Sequence, residues 1–223
     1  MSMIAVVRRA GAALLIGVLG LGLAPAANAQ LMALTPEGRA EVLANPATPF
    51  AGRPDADVTV VEYLDFNCPY CRKAAVTVGQ LLAADPKVRI LYKDWPIFGG
   101  VSAYAARAAL AAQWQGRYIA AHDILIDTPA RLASEDQVRQ RLAFAGVDLA
   151  ELDRDLAAHK GAIDAILARN AAEARALGFS GTPGLVVGAF VVPGLVGLEN
   201  LRTLVNVSRR LDPGQHSKNA TRS

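Results

Sequence analysis

Between Asp57 and Asp65 the chain runs Val58-Thr59-Val60-Val61-Glu62-Tyr63-Leu64, β-branched or apolar at every position except Glu62. A run of this length and composition predicts a strand covered on both faces. Cys68-Pro69-Tyr70-Cys71 then opens a segment whose apolar residues, Ala75, Val78, Leu81 and Leu82, recur at helical spacing until Asp85-Pro86 stops it. Val88 to Tyr92 forms a second strand. Strand, helix and strand in this order call for a right-handed crossover between parallel neighbours. Upstream, Thr35 is placed to cap a short helix with Pro36 in its first turn, and Asn45-Pro46 ends it. The connector from Ala47 to Asp57 leaves room for a short edge strand near Thr48 to Ala51.

From Ser102 to Leu177 the pattern is helical. Gly116, a capping pattern at Ser134 to Gln137, Gly146 and Gly178 divide this stretch into about four segments. Strand signal returns at Leu185 to Val187, turns at Gly188-Ala189 and continues through Phe190 to Val192, a hairpin. Leu198 to Leu204 predicts a closing helix, and the polar tail a disordered end. The expected layout is therefore α/β, with a sheet-forming domain at 57–98 and 178–210. It is preceded by an N-terminal helix and connector at 30–56, interrupted by a helical insertion at 99–177, and followed by a tail at 211–223.

The N-terminus changes how composition is read. Arg8-Arg9, an uncharged apolar run from Ala10 to Leu23, Pro25 and then Ala27-Asn28-Ala29 have the form of a secretory signal peptide cleaved after Ala29. The run is shorter than the roughly 20 residues that a membrane span needs. Of 223 residues, 52% are hydrophobic and 19% charged, which excludes a disordered chain and fits one domain with a substantial insertion. The leader carries two of the 23 basic residues and none of the 20 acidic ones, so the mature chain is almost neutral. That balance, with no basic stripe, argues against a nucleic-acid partner. Export places the cysteines where disulfides persist.

Cys68 and Cys71 are the only two cysteines. Closing so small a ring would restrict the unfolded chain by roughly 2 kcal/mol, against about 3 for a fifteen-residue loop, so a purely structural disulfide is poorly placed here. Zinc would need two more ligands, and His122, His159 and His216 show no metal-type spacing. A redox pair remains. Cys68 falls at the N-cap and Pro69 at the first position of a helix, so its sulfur faces unsatisfied amides and the positive end of the helix dipole, which favour the thiolate. Cys71, one turn further in, would be the resolving thiol. Glu62 is either a buried acid of raised pKa that exchanges a proton with Cys71, with Lys93 as its charge partner, or a water-facing residue on an edge strand. Asp65 either orients the turn before Cys68 or is a solvated loop acid. Ser180-Gly181-Thr182-Pro183 alone would mean only a turn.

Taken together, the leader, Val60 to Cys71, the helical block and Gly181-Thr182-Pro183 resemble the DsbA-like family of bacterial periplasmic thiol-disulfide oxidoreductases, over roughly Ala47 to Arg210. The resemblance implies a thioredoxin fold with a helical insertion, and a site made of Cys68, Pro69, Tyr70, Cys71, Glu62, Thr182 and Pro183. It also implies a cis peptide at Thr182-Pro183 lying against the cysteine pair. Reduced or unfolded exported proteins would be the substrates, a DsbB-type quinone-linked membrane oxidase would restore the disulfide, and no metal, nucleotide or flavin cofactor is called for. Two departures bear on direction. The central dipeptide is Pro-Tyr rather than Pro-His, and Thr182 stands where oxidases of this family carry Val, as in isomerase members. Isomerase relatives usually carry a dimerisation domain or a long stalk, whereas Gln30 to Ala56 is short. The expected activity is disulfide formation, with an isomerase or reductase, or a redox-independent periplasmic chaperone, as the alternatives.

Overall fold

The computed structural model describes Val6–Val7 and residues 32–211. The leader, apart from Val6–Val7, and the tail beyond Leu211 lie outside these residues. Among the described residues seven strands form one sheet in the order β1-β2-β7-β6-β4-β5-β3: β1 (Val6–Val7), β2 (Met32–Leu34), β3 (Phe50–Gly52), β4 (Val58–Leu64), β5 (Val88–Asp94), β6 (Gly184–Val187) and β7 (Phe190–Pro193). Only β4 and β5 run parallel, joined by helix α2 (Pro69–Ala84); every other pairing is antiparallel. Helix α1 (Pro36–Leu43) starts as its cap residue predicts, with the Gly38 amide donating to Thr35 Oγ1 at 3.1 Å.

The central strand β4 is buried at all seven positions because β6 and β5 flank it and helices cover both faces. Strand alternation sorts its side chains into two cores. Val58, Val60 and Leu64 face the larger one, with α2, the insertion and helix α8 (Leu198–Leu211). Val61 and Tyr63 face the smaller one, with Val42, Ala174 and Phe179. Helix α8 places Leu201, Leu204 and Val205 against the sheet, each contributing on the order of 1.5–3 kcal/mol by leaving water. Its Arg209 grips Asp57 at 2.8 Å and Asp85 at 3.0 Å, tying it to the start of β4 and the end of α2.

The helical stretch contains five helices, not about four: α3 (Gly100–Ala111), α4 (Tyr118–Ile126), α5 (Glu135–Phe144), α6 (Leu149–Ala158) and α7 (Lys160–Ala176). The extra boundary falls at His159, which ends α6 and begins α7; the nearby glycine, Gly161, lies inside α7. Helix α7 crosses behind the sheet, bringing Ala174 into the smaller core. Strand β5 also continues two residues past Tyr92, and α8 runs seven past Leu204.

Lys93 requires a correction. It is not the partner of Glu62. In the parallel register Glu62 faces Tyr92 and Tyr63 faces Lys93, so Lys93 and Glu62 point to opposite sides of the sheet. The Lys93 ammonium is buried against Glu173 of α7 and donates to the Val42 carbonyl at 2.7 Å, while Tyr63 Oη donates to the same Glu173 oxygen at 3.0 Å.

Candidate active site

Cys68 is the N-cap of α2 and Pro69 its first residue, so the helix starts where the ring already fixes the backbone and no amide is lost. The turn into it is held from behind. Cys68 N donates to the Asp65 carbonyl at 2.9 Å, and Cys71 N to the Cys68 carbonyl at 3.1 Å. No side chain caps α2. The first-turn amides are therefore directed at the Cys68 sulfur.

Both cysteines are free thiols, and both are buried residues. Cys68 has its pKa lowered to about 5. The Cys71 thiol donating to the Cys68 sulfur is the largest cause; burial opposes it, and the Thr182 side chain and the amides of Cys71 and Tyr70 add to it. Cys71 is pushed far the other way, chiefly by burial and then by that same hydrogen bond. One sulfur is an anion at neutral pH and its neighbour holds its proton.

The peptide Thr182-Pro183 is cis, and the loop carrying it meets Cys68 directly: the Cys68 sulfur lies 3.1 Å from the Thr182 carbonyl oxygen, to which it donates only while it holds its proton. Thr182 Oγ1 is buried without a hydrogen-bond partner, a donor available to the sulfur once Cys68 ionises. Tyr70 stands 57% exposed beside the pair, and Ile97, Phe98 and Leu195 expose further apolar surface on loops bonded to the site. Ile97 N and Phe98 N donate to Asp65 Oδ2 at 2.6 and 3.1 Å, and Gly194 N donates to the Pro183 carbonyl at 2.9 Å.

Asp65 is buried, not a solvated loop acid. Besides Ile97 and Phe98, its carboxylate accepts from Asn67 N at 2.7 Å and Ser102 Oγ at 2.8 Å. Asn67, which the sequence reading passed over, joins the site to the insertion: its amide group exchanges two hydrogen bonds with the Leu132 main chain, at 2.7 and 3.3 Å. Asn67→Ala is expected to strip buried donors and acceptors on both sides and to lower stability by about 1–3 kcal/mol. Urea unfolding, with hydrogen exchange reporting the loop around Leu132, checks it.

Glu62 lies on the interior face of β4, 1% exposed, which excludes the edge-strand alternative. Its pKa is raised to about 8, first by burial, then by the nearby charges of Asp94 and Cys68. Asp94, a second acid that sequence reasoning missed, is raised to about 8 mainly by burial; its carboxylate accepts from Tyr118 Oη at 3.1 Å. The structure thus gathers Cys68, Pro69, Tyr70, Cys71, Thr182 and Pro183 in one place, with Pro69 and Tyr70 exposed, the cysteines and Pro183 buried, and Glu62 and Asp94 inside.

The geometry agrees with comparisons to known proteins. The thioredoxin family model matches residues 44–207. A thioredoxin-like oxidoreductase from Silicibacter pomeroyi is 43% identical, with a TM-score of 0.73 and a match covering 77% of this chain and 98% of that one. The thiol-disulfide exchange protein alpha-DsbA2 from Wolbachia pipientis, 24% identical, is alike in fold at a TM-score of 0.71 over 77% of this chain and 91% of that one. A stretch of the Na(+)/H(+) antiporter NhaA 3 from Salinispora tropica is 34% identical over 206 residues, 86% of this chain but 30% of that protein; the chain spans under a third of the curated relatives it matches. No helix among the described residues is long and apolar enough to cross a membrane. The chain belongs to the thioredoxin superfamily, and its fold, a thioredoxin-like sheet with a helical insertion, is that of the DsbA-like thiol-disulfide oxidoreductases.

Proposed function

We propose that the protein is a periplasmic thiol oxidase that introduces disulfide bonds into reduced exported proteins. The observation that carries this reading is the unequal pair of sulfurs, with Cys68 held as a thiolate and Cys71 held as a thiol. In the oxidised protein a substrate thiolate attacks the Cys68 sulfur and the Cys68–Cys71 bond breaks. Cys71 departs and takes a proton from Glu62. A second substrate thiolate then attacks the substrate sulfur of the mixed disulfide and expels Cys68 as its stabilised thiolate. The substrate gains one disulfide; the protein takes up two electrons and keeps one proton, on Cys71. A low leaving-group pKa speeds the second step and stabilises the reduced protein, which makes the disulfide oxidising.

Tyr70, Phe98 and Leu195 give an unfolded chain apolar contact beside Cys68. A DsbB-type membrane oxidase would return the pair to the disulfide by passing its electrons to a quinone. The experiment is equilibration of the pair with glutathione. The dithiol is expected to predominate even when most of the glutathione is oxidised. A disulfide that survives excess reduced glutathione would overturn the oxidase assignment and favour a reductase or isomerase.

A further inference from the structure

Behind the cysteine pair, between α2 and α4, a cavity of about 380 Å³ opens to the surface. Its lining is mostly apolar, yet three polar atoms in residues that line it are buried with no hydrogen-bond partner: Glu62 Oε2, Arg72 Nε and His122 Nε2. Buried polar atoms without partners are rare, and a cavity of this size admits several waters. His122 is itself buried; its ring packs 4.1 Å from that of Tyr92 and 5.9 Å from that of Phe66. Its other nitrogen, Nδ1, donates to Asp123 Oδ1 at 2.9 Å, and the Asp123 side chain is 67% exposed. In the neutral ring that bond leaves Nε2 as an acceptor.

We propose that His122, oriented by Asp123, is the positioning residue of a proton port through which water in this cavity returns to Glu62 the proton that Glu62 gives to Cys71. The inference rests on the thiol-exchange reading of the site. Glu62 gives up one proton each time Cys71 departs, and on the side of the cysteine pair Cys68 and Cys71 are both buried. The cavity reaches Glu62 from the other side, with Asp123, Asp127 and Arg72 at its lining. The proton balance closes. The substrate dithiol releases two protons to solvent, one enters through the port, and it ends on the Cys71 sulfur. The titratable groups facing this route are Cys68 at the cap of α2, Cys71 and Arg72 within it, Tyr92 and Asp94 from β5, Tyr118 and Asp123 from α4, and Asp127 after it.

On reoxidation the same port must first empty Glu62 so that it can take the proton back from Cys71, and the test is therefore single-turnover oxidation of the reduced protein by oxidised glutathione, sampled across pH, in wild type, His122→Phe, Glu62→Gln and the double variant. Phenylalanine keeps an aromatic ring among Tyr92 and Phe66 and removes the acceptor. The expected result is a loss of about tenfold to a hundredfold in His122→Phe, with an altered pH profile and almost no further loss when it is added to Glu62→Gln. A structural role would instead slow both backgrounds alike. Asp123→Asn, at an exposed position, is expected to slow the step several-fold with unchanged circular dichroism, and it serves if His122→Phe does not fold. Unchanged rates in both variants, or losses that add to that of Glu62→Gln, would overturn the port. Alkylation of reduced Cys68 separates the two readings. It should be as fast in His122→Phe as in wild type; a wild-type Cys68 no more reactive than an ordinary thiol would sink the exchange reading and the port with it.

Discussion

Cys68→Ser is expected to lower disulfide exchange by on the order of 10³-fold or more, because the serine hydroxyl keeps its proton where the cysteine is an anion. Cys71 variants separate two duties of the second sulfur. Without it no internal disulfide forms, so Cys71→Ser should accumulate a mixed disulfide between Cys68 and substrate. The Cys71 thiol is also the leading cause of the low Cys68 pKa. Alanine at position 71 removes that donor, whereas serine keeps one. The thiolate absorbance of Cys68 should therefore titrate near 5 in wild type and about one to two pH units higher in Cys71→Ala, with Cys71→Ser between them. Equal midpoints in Cys71→Ala and wild type would mean that the helix amides alone hold the anion.

The second large effect is on stability. Glu62 and Asp94 carry pKa values raised to about 8 from ordinary values of 4.5 and 3.8. Unfolding frees both carboxyls to ionise, so between those limits the folded chain binds more protons than the unfolded one. Their contribution is fully present below about pH 4 and is lost as pH rises through 8. Each carboxyl weakens the fold by up to about 1.4 kcal/mol per pH unit across that window. Cys68, lowered from 9 to about 5, works in the opposite sense: its contribution is present above 9 and lost as pH falls through 5. The oxidised protein has no such thiolate. It is expected to lose stability from pH 5 to 8 more steeply than the reduced protein. Glu62→Gln and Asp94→Asn, which resemble the protonated acids, should each flatten the slope and stabilise the fold at pH 8. Denaturant titrations of both redox forms at pH 5, 6.5 and 8 check this; a flat profile would place the two carboxyls in water.

What could be read from the sequence was whatever the chain arranges locally. The cysteine spacing, Pro69, the strand before them and the caps of α1 and α5 act within a few residues, so the N-cap thiol and the β4–α2–β5 unit were legible. Glu62 stood out because one carboxylate interrupts an apolar strand. Its partner did not, because a strand's register with its neighbour is a tertiary fact: moving Lys93 by one position would have changed its face. Asp94, Tyr118 and His122 meet only because α4 docks over the sheet, and Asn67 finds the Leu132 main chain 65 residues away. Only Gly161, itself inside α7, stands near its break from α6, and the place of α7 behind the sheet is set by Ala174 and Glu173 packing against residues far upstream.

The buried cluster of Lys93, Glu173 and Tyr63 carries an evolutionary corollary. Substituting either charged residue alone leaves its partner stranded away from water, whereas an apolar pair of matching volume can fill the same space at little net loss. The two positions are thus genetically coupled, and a lineage that drifts at one of them crosses a fitness valley unless the other changes with it. Since Lys93 also donates to Val42, the same valley guards the docking of α1, a segment distant from both cysteines by sequence yet hostage to a single cation.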